Sequence, residues 1–422
     1  MRMIKSLALS PLVNLLQLMF CLSILVSQLQ MLLSYQNHWL MIKLSSLKNI
    51  TNKNLVIRVD MNVPIKEGNA QDLTRIKACL PTIKHALDQG AKILLLSHLG
   101  RPTEGLYEEI FSLKPVAKVA SEVFGQEVEL IKSIEDPKIF QGNSSIQLLE
   151  NIRFFDGEKA NTKELGDKLG NLGDLYVFDA FGTSHREQAS THSSIIHANE
   201  ACSGILLEQE VDALTKALNN TQKPYTAIIG GAKVSTKLEL IKNINSKADH
   251  VIVGGGIANT FIKAAGYEVG QSLIEESMVG IAKELLDKGK VILPEKVITS
   301  ETFEGKNISE RNISDVGTNE MILDQLVSER IKDIVLSSKT ILWNGPLGVF
   351  ENDYFSKGTE ELSKEVAKSD GFSIAGGGET LSAINKFINK DDVSYCSTGG
   401  GAFLEFMEGK DLPSIQALKA KI

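Results

Sequence analysis

The chain has 422 residues and only four cysteines, Cys21, Cys79, Cys202 and Cys396, scattered along its length. None forms a C-x-x-C pair and no His/Cys cluster has zinc-site spacing, which argues against a structural zinc site. A chain this long does not need disulfide staples, so reduced thiols packed inside a cytoplasmic protein are expected. Positive charge is not in excess: the formal net charge is −7. Non-specific nucleic-acid binding, which needs a basic face, is not expected, although a local basic cleft for a small anion stays open. Three nucleotide signatures are missing. There is no G-x-x-x-x-G-K-[ST] loop, no complete dinucleotide fingerprint and no protein-kinase signature set.

Long apolar runs are scarce too, except near the start. Residues 1–40 contain Arg2 and Lys5, no acidic residue, and the run LLQLMFCLSILV. It resembles the centre of a signal peptide, but no small-x-small cleavage site follows and the run is too short for a secure membrane span. Three readings compete: a start codon assigned too far upstream, with Met41 opening the domain; a targeting segment or membrane anchor; or a structural extension. No membrane association is expected of the rest.

What is present is one pattern used repeatedly. FSIAGGGETLSAI, residues 372–384, is an apolar run that breaks at three glycines and resumes at helical spacing. IIGGAKVSTK, VIVGGGIANTF, ILWNGPLGVF and YCSTGGGAFLEF repeat the design. Short β-rich runs alternate with amphipathic segments throughout: NLVIRVD, AKILLLSH, IQLLEN and LYVFDAF, then YTAIIGG, HVIVGGG, KVILP, TILWNG, FSIAGGG and VSYCSTGG. RIKACLPTIKHALDQG reads as one helix with a stripe of Ile76, Leu80, Ile83 and Leu87 and a stop at Gly90. Continuous apolar strands separated by helices imply an α/β protein with parallel sheets covered on both faces. The length implies two domains. LLEQEVDALTKALNNTQKP carries a stripe of Leu207, Val211, Leu214 and Leu218 and reads as the helix joining them. Polar and glycine residues fall at the C-terminal ends of the strands, where open α/β sheets bind ligands.

Charge divides between the halves. Arg58, Arg75, His98, Arg101, Arg153, His185 and Arg186 fall at strand ends in the first half. Guanidinium forks suit phosphate and carboxylate oxygens, so several converging on one edge point to a small, highly charged anion. For Arg58 the simpler reading is a pair with nearby Asp60. In the second half, helices that begin after glycines offer free N–H groups to phosphate. Lys233 and Lys237 would point the same way if a helix begins in GGAKVSTK.

RVDMNVP, SHLGRP, LLENIRFFDGE, DAFGTSHR, GGAKVSTK, WNGPLGVFE, GGGET and STGGGAFLEF follow one another in this order, and in this the chain resembles the phosphoglycerate kinases, of bacterial type. The resemblance runs from about Leu44 to the C-terminus. It implies two Rossmann-like three-layer domains with parallel sheets, joined by an interdomain helix and hinge. The division it implies is an extension at 1–40, a 3-phosphoglycerate-binding domain at 41–205, the helix at 206–222, a nucleotide-binding domain at 223–405, and a segment at 406–422 that packs back on the first domain. The implied activity is reversible transfer of the acyl phosphate of 1,3-bisphosphoglycerate to ADP, giving ATP and 3-phosphoglycerate, with magnesium, by a cytoplasmic monomer without nucleic-acid or membrane partners.

The resemblance also implies roles. Arg101, Arg153 and Arg186 would grip the phosphate that is not transferred. Asp60, Met61, Asn62, His98, Leu99 and Gly100 would line the hydroxyl and carboxyl end. Arg75 and Lys237 would meet the phosphoryl group from either side, with donors from Gly400 and Gly401. Lys233, Gly255, Gly256, Asn344, Glu351, Gly377, Gly378, Glu379 and Thr380 would hold the nucleotide, and Glu379 the magnesium. Position 379 is glutamate where the family more often has aspartate. Two other classes remain as alternatives, an NAD-dependent oxidoreductase and a non-catalytic sugar-phosphate binding module.

Overall fold

A computed structural model describes residues 41–422. The segment 1–40 and Cys21 lie outside the described residues. Two six-stranded sheets dominate, and every pairing within them is parallel. The first runs Val128–Ile131, Ile146–Leu149, Lys92–Leu96, Asn54–Val59, Leu175–Asp179, Ala201–Ser203. The second runs Val291–Ile292, His250–Val253, Tyr225–Ile229, Thr340–Asn344, Phe372–Ala375, Tyr395–Cys396. In chain order the second is 3-2-1-4-5-6, the doubly wound arrangement of dinucleotide-binding folds. Each sheet therefore has a point where the winding reverses: between Asn54–Val59 and Leu175–Asp179 in the first, and between Tyr225–Ile229 and Thr340–Asn344 in the second. The central strands are buried almost throughout, as expected where both faces are covered.

Helix Ile205–Leu218 links the sheets. Leu207, Val211, Leu214 and Leu218 are buried in a core that includes Phe178 of the first sheet and Leu342 of the second. At about 2 kcal/mol per buried side chain, this stripe holds the two halves to one axle. The Leu207 N–H also donates to Asp179 Oδ1 at 3.0 Å, and Ile205 N–H to Thr82 Oγ1 at 2.9 Å. The last helix, Pro413–Lys419, packs on residues 189–197 of the first half. Lys421 Nζ donates to the Ala198 carbonyl at 2.6 Å.

Some elements differ from expectation. RIKACLPTIKHALDQG forms two short helices, Thr74–Ala78 and Leu80–Asp88. Pro81 has no N–H to offer Lys77, so the ladder breaks there and restarts with Ile83 N–H donating to Cys79. Gly90, at φ +76°, ends the second piece. Arg75 thus sits on a helix and not at a strand end. Strands Val128–Ile131 and Ala201–Ser203 carried no distinct sequence signal. Nor did the small antiparallel sheet of Ser309–Asn312, Lys296–Ser300 and Met321–Gln325 that flanks the second large sheet.

Candidate active site

At the first sheet's C-terminal edge, Arg75 Nη1 pairs with Asp60 Oδ2 at 3.0 Å and donates to the Asn62 carbonyl at 3.2 Å. Asn62 Oδ1 accepts from Gly100 N–H at 3.0 Å, which ties the two strand-end loops together. Met61 and Leu99 are buried in the core, so they face the edge with backbone only. Arg58 does not pair with Asp60. It is buried, donates from Nε to Ser190 Oγ at 2.9 Å, and lies 3.3 Å from His98 Nδ1 through Nη2. Ser190 in turn donates to Glu158 Oε1 at 2.6 Å. The reason is directional: Arg58 lies inside its strand and points into the protein, whereas Asp60 has passed the end of the sheet.

Among the described residues the arginine ion pairs are Arg75–Asp60 and Arg311–Glu320. Arg101, Arg153 and Arg186 therefore lack one, and they line a cleft of about 630 Å³. Burial first, then the neighbouring Arg186 and Arg58, push the Arg153 guanidinium down to about 10. Burial also lowers Arg186, with Arg101, Arg58 and Arg75 adding repulsion. His98 is held well below its usual value by burial and by four arginines. It is a neutral ring at pH 7. Cations crowded in this way are stabilised by an anion among them.

At the second sheet's reversal point the strands come very close. Gly230 N–H donates to the Asn344 carbonyl at 3.0 Å, and a Cβ at Gly230 would collide with the Pro346 carbonyl. Lys237 Nζ reaches the Gly230 carbonyl and, at 3.1 Å, that of Asn344. Burial pushes its ammonium down to about 8, against the pull of Glu379. Lys233 and Lys237 do not share a helix face. The helix begins at Leu238, and Lys233 is exposed on the preceding loop.

Beside Lys237 is a slot of about 180 Å³, floored by Gly255 and Gly256 and walled by Leu273, Met321 and Leu323. Gly256 is needed because the Ala232 carbonyl approaches where a Cβ would sit. Phe303 and Leu273 line the slot while 55% and 51% exposed, apolar surface that a flat ligand would cover. Glu351 and Glu379 are exposed at its rim. Gly377, at φ +95°, turns the chain into helix Gly378–Phe387. Thr380 and Asn344 are buried. The Thr380 hydroxyl accepts from Gly345 N–H and donates to the Gly376 carbonyl, each at 2.8 Å. Asn344 Nδ2 donates to the Gly376 carbonyl at 2.7 Å. These side chains brace the edge, and the first N–H groups of the helix are left without intrahelical acceptors.

Residues 397–401 make the junction. Thr398 donates from its N–H and its hydroxyl to Glu210 Oε1, both at 2.9 Å. Gly399 packs on the Phe181 ring, and a Cβ on Gly401 would lie 3.4 Å from His185 Nε2. Gly400 takes φ +45°. No hydrogen bond or ion pair among the described residues joins Lys237 to the arginine group. Glu158 also lines the cleft, supported by Ser190, and Asn259, Phe303 and Gln325 line the slot. Glu158 and Asn259 fall inside LLENIRFFDGE and VIVGGGIANTF without a role legible there, and Ser190, Phe303 and Gln325 stand outside any motif, since their contacts are distant along the chain.

A family model described as phosphoglycerate kinase matches residues 44–410. The phosphoglycerate kinase of Francisella tularensis subsp. novicida is 49% identical over 381 residues, covering 88% of this chain and 97% of that protein. The structure of phosphoglycerate kinase from Coxiella burnetii superposes with a TM-score of 0.84 at 44% identity, covering 90% of this chain and 100% of that one. The corresponding structure from Pyrococcus horikoshii gives 0.76 at 32%, with the same coverage.

Proposed function

The chain belongs to the phosphoglycerate kinase family, and on that footing we propose that it transfers the acyl phosphate of 1,3-bisphosphoglycerate to ADP, reversibly, in glycolysis and gluconeogenesis. The observation that carries this reading is the pairing of two unlike strand-end sites. A cleft with Arg101, Arg153 and Arg186 suits a small polyanion, and a glycine-floored slot beside Lys237 suits a nucleotide. Residues 397–401 connect them.

Arg101, Arg153 and Arg186 bind the phosphate that stays on the three-carbon acid, and this remote binding orients the reacting end. Asp60, Asn62, His98 and the backbone of Met61, Leu99 and Gly100 hold the hydroxyl and carboxyl end. An oxygen of the ADP β-phosphate attacks the acyl phosphorus while the bond from phosphorus to the carboxyl oxygen breaks, leaving a carboxylate. Both nucleophiles, forward and reverse, are already anions, so no general base is needed. Neutral His98 donates a hydrogen bond without shuttling a proton. Catalysis is then alignment and charge neutralisation. Arg75 approaches the migrating group from one side. Lys237 and the N–H groups of Gly400 and Gly401 approach from the other. Lys233, Gly255, Gly256, Asn344, Glu351, Gly377, Gly378 and Thr380 hold the nucleotide. A hinge at helix Ile205–Leu218 and residues 397–401 closes the remaining gap.

Glu379 would hold magnesium together with the nucleotide phosphates. Its exposed carboxylate at a helix start on the slot fits a hard cation. Among the described residues no group of three or more acidic, histidine or cysteine side chains could hold a metal by itself, which suits an ion shared with a ligand. When bound, the ion neutralises phosphate charge.

The same reading divides the chain into a 3-phosphoglycerate domain at 41–205, the helix at 206–222, a nucleotide domain at 223–405 and a returning segment at 406–422, and makes the protein a cytoplasmic monomer. Buried, unpaired Cys79, Cys202 and Cys396 suit a reducing compartment. No helix among the described residues is long and apolar enough to cross a membrane. ATP formation from 1,3-bisphosphoglycerate and ADP tests the activity. NAD reduction, or ligand binding without turnover, would overturn it.

A further inference from the structure

The nucleotide slot is built from three separate stretches of chain: the helix start at Gly255, the loop at Leu273, and strand Met321–Gln325 of the small antiparallel sheet. Their backbones are held together by two buried amide side chains, Gln325 and Asn259, which are 1% and 3% exposed. Gln325 Oε1 accepts from Gly255 N–H at 2.7 Å, and Nε2 lies 3.5 Å from the Gly255 carbonyl. One primary amide thus faces both polar groups of a single glycine. The same Nε2 donates to Asn259 Oδ1 at 3.2 Å. Asn259 Nδ2 then donates to the Leu273 carbonyl at 3.3 Å and to the Ile322 carbonyl at 3.4 Å. Every polar atom of the two amides has a partner, and each partner belongs to the floor or a wall of the slot.

We propose that Gln325, with Asn259, is a positioning residue for the nucleotide, setting the spacing between the glycine floor and the Leu273–Met321–Leu323 walls. All four N–H donors of the two amides are taken inside the protein, so neither donates to the base itself. Their effect is on shape: Gly255 adopts φ +62° and its peptide needs a fixed plane for the floor to be flat. The position of Gln325 at the end of its strand makes the small sheet a wall whose distance from the helix start is fixed by side-chain hydrogen bonds. The proposal rests on reading the slot as the nucleotide site.

Gln325→Leu keeps the volume and removes the clamp. Gly255 N–H keeps its second acceptor, the Leu347 carbonyl at 2.8 Å, so the helix start is not orphaned. Calorimetric titration with ADP, alongside steady-state kinetics, gives the test. The expected result is an ADP Kd about tenfold weaker, the equivalent of ~1.4 kcal/mol. KM for 3-phosphoglycerate, and kcat at saturating nucleotide, should stay within about twofold, because the other cleft and Lys237 are untouched. Gln325→Glu, isosteric with the native side chain, decides the matter if the leucine variant does not fold. Its ionised carboxylate would face Asn259 Oδ1 and the Gly255 carbonyl, so its ADP Kd relative to the parent should grow as pH rises from 5.5 to 7. An unchanged ADP Kd in a folded variant, or equal losses for both substrates, overturns the proposal. A parent protein that does not bind ADP overturns the nucleotide reading of the slot instead.

Discussion

Lys237→Met separates what this lysine does for catalysis from what it does to stability. The parent ammonium is held at the reversal point of the second sheet by the Gly230 and Asn344 carbonyls. Burial lowers its pKa from 10.5 to about 8. That fall corresponds to ~3 kcal/mol disfavouring the charged form in the folded protein. The folded state binds fewer protons than the unfolded chain between about pH 8 and 10.5, so the parent gains stability across that window and bears the full cost below it. Methionine removes the charge at similar length and leaves the Gly230 carbonyl without its lysine donor, a loss of ~1 kcal/mol. The variant should therefore be about 2 kcal/mol more stable than the parent at pH 7, a shift of roughly 4–8 °C in Tm for domains of this size. By pH 10.5 most of the burial cost is gone and the lost hydrogen bond is left, so the order should reverse, the variant falling below the parent by up to ~1 kcal/mol. Turnover should fall by about a hundredfold or more, because a preorganised charge on the migrating phosphoryl group is gone. Thermal melts at both pH values and a coupled ATP-formation assay provide the readouts. A variant less stable at pH 7 would refute the burial argument, and an unchanged kcat would refute the catalytic role.

Arg153→Ala should raise KM for 3-phosphoglycerate by about 10–100-fold, the loss of a charge-assisted contact, with kcat at saturation little changed; an unaltered KM would refute its assignment. Gly230→Ala forces a Cβ into the Pro346 carbonyl, backbone against backbone, and should cost ~3 kcal/mol or more. An unshifted melting temperature would show that the close approach is not there. Glu210 is buried against Thr398, and burial raises its pKa from 4.5 to about 7. The folded state holds its proton longer than the unfolded chain does, so its contribution is complete below about pH 4.5 and is lost as pH rises through 7. Glu210→Gln should flatten the fall in stability over that window, as denaturant unfolding at pH 5 and pH 7.5 would reveal; an identical pH slope in the variant would contradict the burial of this carboxyl.

Much of this protein was legible from local pattern. An apolar run broken by glycines at its C-terminal end specifies a buried parallel strand followed by a helix start, because only glycine supplies turns such as Gly377 and close approaches such as Gly230. That pattern located the second sheet and the strand-end positions of Gly255, Asn344 and Glu379; the first sheet, with Asp60 and His98 at its edge, was legible from short β-rich runs that end in polar residues, and the order of the motifs named the family. The helix linking the halves was equally plain from its stripe of Leu207, Val211, Leu214 and Leu218. Partnership was decided only in three dimensions. Arg58 turns inward to Ser190 and His98, leaving Asp60 to Arg75, because one pleat separates a side chain in the sheet from one beyond its end. Lys233 and Lys237 part company because the helix starts at Leu238, one residue after Lys237 and five after Lys233, so Lys237 sits at its cap and Lys233 on the loop before it. The amides of Gln325 and Asn259 meet across 66 residues. Strand propensity and helical period report what a residue does with its neighbours in the chain, whereas hydrogen-bond partners are chosen by whichever backbone the fold brings within 3 Å.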